Sequence, residues 1–134
     1  MPRYVDGFVI PVPLDHVDDY RAMAETACAI WKEHGALEYW ECIGDDLDAQ
    51  PEGPMSFLDM VGAKPGETVF FSWAVFESRE ARDNANEKIM TDPRLEAMMH
   101  QNIFDCKRMA FGGFKRTRSR LRKRHCLCTN HVST

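Results

Sequence analysis

Asp6, His34, Glu38, Trp73 and Arg108 are the residues whose chemistry and placement suggest a site. A carboxylate beside an arginine in a dry pocket stays charged and can fix a polar substrate. A histidine nearby can move a proton near neutral pH. Asp6 is an acid inside a run that should form a central strand, and Arg108 falls in the last strand, which should pair beside it. His34 closes the first helix, Glu38 opens the second strand and Trp73 sits mid-sheet. The expectation is that they converge in a pocket between sheet and helices, or in a barrel between two sheets. His34 is then the candidate catalytic proton carrier, with Asp6 and Arg108 as catalytic partners that orient the substrate. Trp73 and Glu38 are the candidate ligand-binding residues. The plainer readings are an Asp6–Arg108 structural ion pair, a His34 cation favoured by the helix dipole, a solvated Glu38 and a packing role for Trp73.

Standard catalytic signatures are absent. The sequence has no glycine-rich phosphate loop, no G-x-S-x-G elbow and no H-E-x-x-H. Asp45, Asp46 and Asp48 lack the spacing and glycine of a calcium loop and read as a solvated acidic stretch. His125, Cys126, Cys128 and His131 superficially suggest zinc, but a single C-x-C pair is a weak signature. No metal and no cofactor are expected.

These side chains must be held by a small set of elements. Tyr4 to Ile10 reads as a strand that stops at Pro11-Val12-Pro13. Asp15 is the expected cap of a helix whose apolar face runs through Val17, Tyr20, Met23, Ala24, Ala27, Ile30 and Trp31. Gly35 ends it, and Ala36 to Ile43 is the second strand. A long loop, Gly44 to Glu67, has room for one helical turn at Ser56 to Val61. Thr68 to Phe76 is the strongest strand signal. Ser78 caps a helix over about 79–90, Asp92-Pro93 starts a short one carrying Leu95, Met98 and Met99, and Lys107 to Phe114 is the last strand.

The order β-α-β-β-α-β predicts an α+β, ferredoxin-like fold: a four-stranded antiparallel sheet with the helices on one face. The other face should turn polar if it met water. In the third strand it does not, since Val69, Phe71, Trp73 and Val75 fall on one side and Phe70, Ala74 and Phe76 on the other. A second copy of the sheet, related by a two-fold axis, is the economical cover, so a homodimer is expected.

Several stretches together resemble the YbaA-like family of small bacterial proteins of unknown function, placed in the dimeric α+β barrel superfamily. They are Tyr4-Val5-Asp6-Gly7-Phe8-Val9-Ile10-Pro11-Val12-Pro13, Trp31-Lys32-Glu33-His34-Gly35-Ala36-Leu37-Glu38, Phe71-Ser72-Trp73 and Glu77-Ser78-Arg79-Glu80-Ala81-Arg82-Asp83. Asp92-Pro93-Arg94 and Phe104-Asp105-Cys106-Lys107-Arg108-Met109-Ala110-Phe111-Gly112-Gly113-Phe114 complete the set. The resemblance spans about residues 2–114 and implies fold and dimerisation rather than a particular chemistry.

Composition sets the remaining bounds. At 134 residues, 44% apolar and 28% charged, the chain suits one globular domain. No apolar run approaches the roughly 20 residues of a membrane span, and Met1 to Asp6 lacks the pattern of a signal peptide. A cytoplasmic location is the expectation. Five cysteines, an odd number at scattered spacings, argue against a disulfide framework. Residues 1–114 hold ten Lys and Arg against all 21 acids, whereas residues 115–134 hold seven basic residues and no acid. The division expected is therefore a 1–114 dimeric α+β barrel domain and a 115–134 basic C-terminal extension without fixed structure. Such an extension can contact nucleic acid, although it has no aromatic side chain to stack on bases. Three functions remain open: a dimeric small-molecule-binding or regulatory module, a cofactor-independent enzyme of monooxygenase or isomerase type, as the resemblance allows, and a protein that contacts nucleic acid through its tail.

Overall fold

A computed structural model describes residues 2–120. The tail's His125, Cys126, Cys128 and His131, and its basic run from residue 121 onward, lie outside these residues.

The chain forms β1 (Tyr4–Pro13), α1 (Val17–Glu33), β2 (Glu38–Ile43), α2 (Phe57–Val61), β3 (Glu67–Phe76), α3 (Arg79–Met90), α4 (Pro93–Met99) and β4 (Ala110–Lys115). The four strands make one antiparallel sheet in the order β2-β3-β1-β4. This is the ferredoxin-like arrangement expected from the order of elements.

β2 begins at Glu38 rather than Ala36, whose N–H bonds back to the Trp31 carbonyl at the end of α1. Three other boundaries differ from the sequence reading, each for a local reason. β1 does not stop before Pro11 but runs to Pro13, paired with β3 along its full length. Beyond Val9 it has no β4 neighbour, so prolines that lack an N–H leave no ladder bond unmade on that side. Asp15 does not cap α1. It sits in a 3-10 turn, Leu14–His16, and the helix starts after His16 with no side-chain cap. β4 begins at Ala110 rather than Lys107, because Asp105 accepts the Lys107 N–H and winds Cys106–Arg108 into a second 3-10 turn.

α1 buries Tyr20, Ala24, Ala27 and Ile30, a stripe at helical spacing. Gly35 follows with φ of 119°, a backbone conformation that favours glycine. Ser78 and Asp92 cap α3 and α4 through their side chains. Ala27, Ile30, Ala85, Ile89 and Met98 of these three helices pack with Ala74 and Phe76 of β3. Full burial of a side chain such as Ile30 or Phe76 stabilises the fold by about 1.5–3 kcal/mol. A second cluster joins Ile10, Val12, Tyr20, Phe70 and Ile103.

Burial on β3 alternates with the pleat at its centre: Phe70, Ser72 and Ala74 lie under the helices, while Phe71 and Trp73 point to the opposite face. There Trp73 stacks on Trp40, its cross-strand partner, at 5.5 Å and 11° between planes. α2 packs against β1 and β3, and Phe57 lies 5.8 Å from Phe71. Trp40, Phe71 and Phe114 nevertheless stay 43–63% exposed.

Candidate functional site

The five residues singled out in the sequence do not share one site. The register pairs Asp6 with Ala74 and Gly7 with Trp73, so Asp6 faces the helices and Trp73 the opposite side. No pocket can be lined by both. Arg108 is not beside Asp6. From its turn it donates to both oxygens of Glu67 at 2.7 Å and to the carbonyl of Gly62 at 2.9 Å. The two hydrogen bonds from Arg108 hold Glu67 at about 2, well below the usual carboxylate range. Asp6 instead meets Arg82 of α3 at 3.2 Å, and the Arg82 guanidinium lies 4.7 Å over the Tyr4 ring while donating to the Tyr4 hydroxyl. Asp6 is wholly buried. Desolvation pushes its carboxyl up against the pull of Arg82 and Asn86, and its Oδ2 has no formed hydrogen bond.

His34 joins α1 to α4. Its Nε2 lies 3.0 Å from Asp92 Oδ2, and Asp92 also accepts from the Arg94 backbone and side chain. Those bonds, Arg94 first and His34 next, hold the Asp92 carboxyl well below the usual range. Glu38 is exposed at the start of β2. The long-range ion pairs among the described residues are thus Asp6–Arg82, His34–Asp92, Glu33–Arg94 and Glu67–Arg108, each tying one element to another.

The cavity lies elsewhere, between α1, α3, α4 and the helix-facing side of the sheet. It has a volume of about 340 Å3, and Phe8, Met23, Trp31, Ile89, Met98 and Phe111 are among its mostly apolar walls. Aromatic rings cluster along it: Phe8 lies 5.1 Å from Phe111 and 6.4 Å from Trp31, and Trp31 lies 5.9 Å from Tyr39. Met90, Met99 and Phe111 line it while remaining 48–74% exposed.

Its polar end is built by β2. Tyr39 and Glu41 are two residues apart and project to the same side of the strand. Tyr39 donates to Glu41 Oε1 at 2.5 Å, and Tyr20 of α1 donates to Glu41 Oε2 at 2.9 Å. Burial pushes the Glu41 carboxyl up, and the two tyrosine bonds oppose that shift. Burial and the carboxylate together push both tyrosines up, so they keep their protons and act as donors. Ser72, 1% exposed, lies across from Glu41 in the β2–β3 register. The Trp31 indole N–H has no partner among the described residues. Such an arrangement can accept hydrogen bonds or a positive charge at Glu41 while it desolvates an apolar body.

The sequence reading missed Glu41, Tyr20 and Tyr39 as site residues. A period-two signal existed: Tyr39, Glu41 and Ile43 alternate with Glu38, Trp40 and Cys42, which sets an acid on one face between two apolar neighbours. That signal cannot say which face meets the helices. Among the described residues no group of three or more His, Cys, Asp or Glu is placed to hold a metal ion, and no helix is long and apolar enough to cross a membrane.

Comparison with known proteins places the chain among relatives. The model of a family described as "Protein of unknown function (DUF1428)" matches residues 3–106. The chain is 46% identical over 114 residues to the "Uncharacterized protein YbaA" of Escherichia coli strain K12, covering 84% of this chain and 95% of the relative. The YbaA protein of Shigella flexneri matches to the same extent. Among solved structures, a NIPSNAP family protein with unknown function from Agrobacterium tumefaciens superposes with a TM-score of 0.53 at 13% identity, over 86% of this chain and 88% of that one. A dimeric ferredoxin-like protein from an uncultured marine organism superposes with a TM-score of 0.54 at 10% identity, over 89% and 99%.

Proposed function

Since the chain belongs to the family described as "Protein of unknown function (DUF1428)", we propose its role from the site: it is a homodimeric small-molecule-binding protein whose ligand occupies the cavity between helices and sheet. One observation carries this reading. A cavity of about 340 Å3 with apolar walls ends on a half-buried carboxylate already held by two tyrosine hydroxyls. That volume lies at the low end of the roughly 300–1,000 Å3 usual for small-molecule sites, and apolar walls with a few convergent polar groups are their common make-up.

The dimer is supported by the opposite face of the sheet. Trp40, Phe71, Trp73 and Phe114 present a contiguous aromatic surface, which a monomer rarely leaves in water. A two-fold pairing covers it with a copy of itself. The ferredoxin-like marine protein with the same fold is described as dimeric.

A thermal-shift screen against small aromatic and aliphatic metabolites tests the ligand site, because a compound that binds only the folded state raises the melting temperature. At least one compound should do so, and Ala24→Leu, which adds bulk to the cavity wall, should abolish the shift. A panel with no shift, or one that Ala24→Leu leaves unchanged, overturns the reading. A cofactor-independent enzyme in the same pocket is the second reading, favoured by the upward push on Glu41, which suits a group that exchanges protons. Mass spectrometry on the incubated compound separates the two: it is recovered intact from a binding protein and altered by an enzyme.

A further inference from the structure

Charge is unbalanced in the cavity. Its lining includes Glu41 but no lysine and no arginine. An ionised carboxylate in an apolar setting is costly unless it is paired. Both of its oxygens already accept hydrogen bonds from tyrosine hydroxyls, the pattern of an acceptor-only, ionised group. Two neutral donors ease the charge without cancelling it.

The groups facing Glu41 give no internal counter-ion. Tyr20 and Cys28 face it from α1 and Tyr39 from β2, all neutral when protonated, and Ser72 of β3 does not titrate. Arg21 and Glu25 line a groove on the outer side of Glu41, and Arg21 is 61% exposed with Asp18 as its ion-pair partner. On the inner side Tyr39 adjoins Glu41 and Trp31 packs on Tyr39, while Phe8 and Phe111 continue the aromatic lining two and three strands away across the sheet. A carboxylate at one end of an aromatic-lined cavity suits an organic cation, since a ring face attracts positive charge and the attraction strengthens as water is removed. An anionic ligand meets Glu41 with nothing to offset the repulsion.

Resting on the cavity reading above, we propose that the ligand is an apolar organic cation, with its ammonium group at Glu41 and its hydrocarbon or aryl body among the aromatic walls.

Titration calorimetry on the full chain with 4-phenylbutylammonium, 4-phenylbutanol and 4-phenylbutyrate tests this. The three share a body and differ in the charge of the head. The ammonium should bind at least tenfold more tightly than the alcohol, and the carboxylate most weakly. In Glu41→Gln the ratio of ammonium to alcohol affinity should fall towards one. The wild-type ratio does not depend on that variant folding. A pH series adds a second reading on the wild type: ammonium affinity should rise with pH as Glu41 ionises, while alcohol affinity stays level. Equal wild-type binding of ammonium and alcohol, or a preference that survives in Glu41→Gln, overturns the cation inference and leaves the cavity reading standing. If none of the three binds at millimolar concentration, the cavity reading falls and the cation inference with it.

Discussion

At the scale of single residues, Asp6, His34 and Arg108, noticed first in the sequence, serve as ties between elements, whereas Glu38 is exposed. Arg82 and Asp6 are the most buried of these pairs, with side chains 12% and 1% exposed. Removing one partner of such a pair leaves a stranded charge, which destabilises by about 3–5 kcal/mol. Arg82→Ala should show that loss in urea unfolding at pH 7. The loss should shrink towards pH 4, because Asp6 without Arg82 has its folded carboxyl raised further and folds more readily once protonated. An equal loss at both pH values would count against the pair. Glu67 carries the opposite sign. Its folded value of about 2 lies below the ordinary 4.5, so its contribution is full above about pH 5 and drains away as the pH falls towards 2. Arg108→Gln should lower stability at pH 7 and flatten that acid slope. A slope as steep as the wild type's would show that Arg108 does not hold Glu67.

At the scale of elements, caps and a close approach keep the helices and β4 in place. Ser78 accepts the Ala81 N–H at the start of α3, and Ser78→Ala should cost about 1 kcal/mol, read as a drop of a few degrees in melting temperature. Gly113 of β4 sits under the Tyr4 ring, and a Cβ there would come within 2.7 Å of that ring's carbon. Gly113→Ala should therefore displace Tyr4, disturb the Arg82 contact stacked on it and destabilise more than Gly112→Ala, whose Cβ would meet only Phe114 at 3.4 Å. Calorimetry on the two variants compares them directly, and equal melting points would refute the contact. Most elements were legible because spacing and capping residues are local: Tyr20, Ala24, Ala27 and Ile30 declare α1, and Asp92-Pro93 declares α4. The Arg108 turn was not, because a single side-chain bond from Asp105 decides it against an apolar run that reads as strand.

At the scale of the whole molecule, the sheet divides the protein into two sides. One side holds the cavity and the other the aromatic face proposed to pair. Trp40→Glu combined with Phe71→Glu should convert a dimer into a monomer in sedimentation at micromolar concentration. The cavity lies on the opposite side of the sheet, so ligand-induced thermal shifts should survive the substitutions. A wild-type protein that sediments as a monomer would remove the pairing proposal.

By itself, the sequence determined the order of elements, the antiparallel ferredoxin-like sheet and its two apolar faces, because strand alternation, helix spacing and right-handed crossovers are properties of the chain's own pattern. It could not decide which charges meet. Arg82 and Arg108 were both available to Asp6, and only the path of α3 across the sheet brought the first within 3.2 Å and left the second with Glu67. Nor could it show that Tyr20 and Tyr39, 19 positions apart, close on Glu41. Pattern is written along the chain, whereas a site is made by the packing of surfaces that the chain keeps apart.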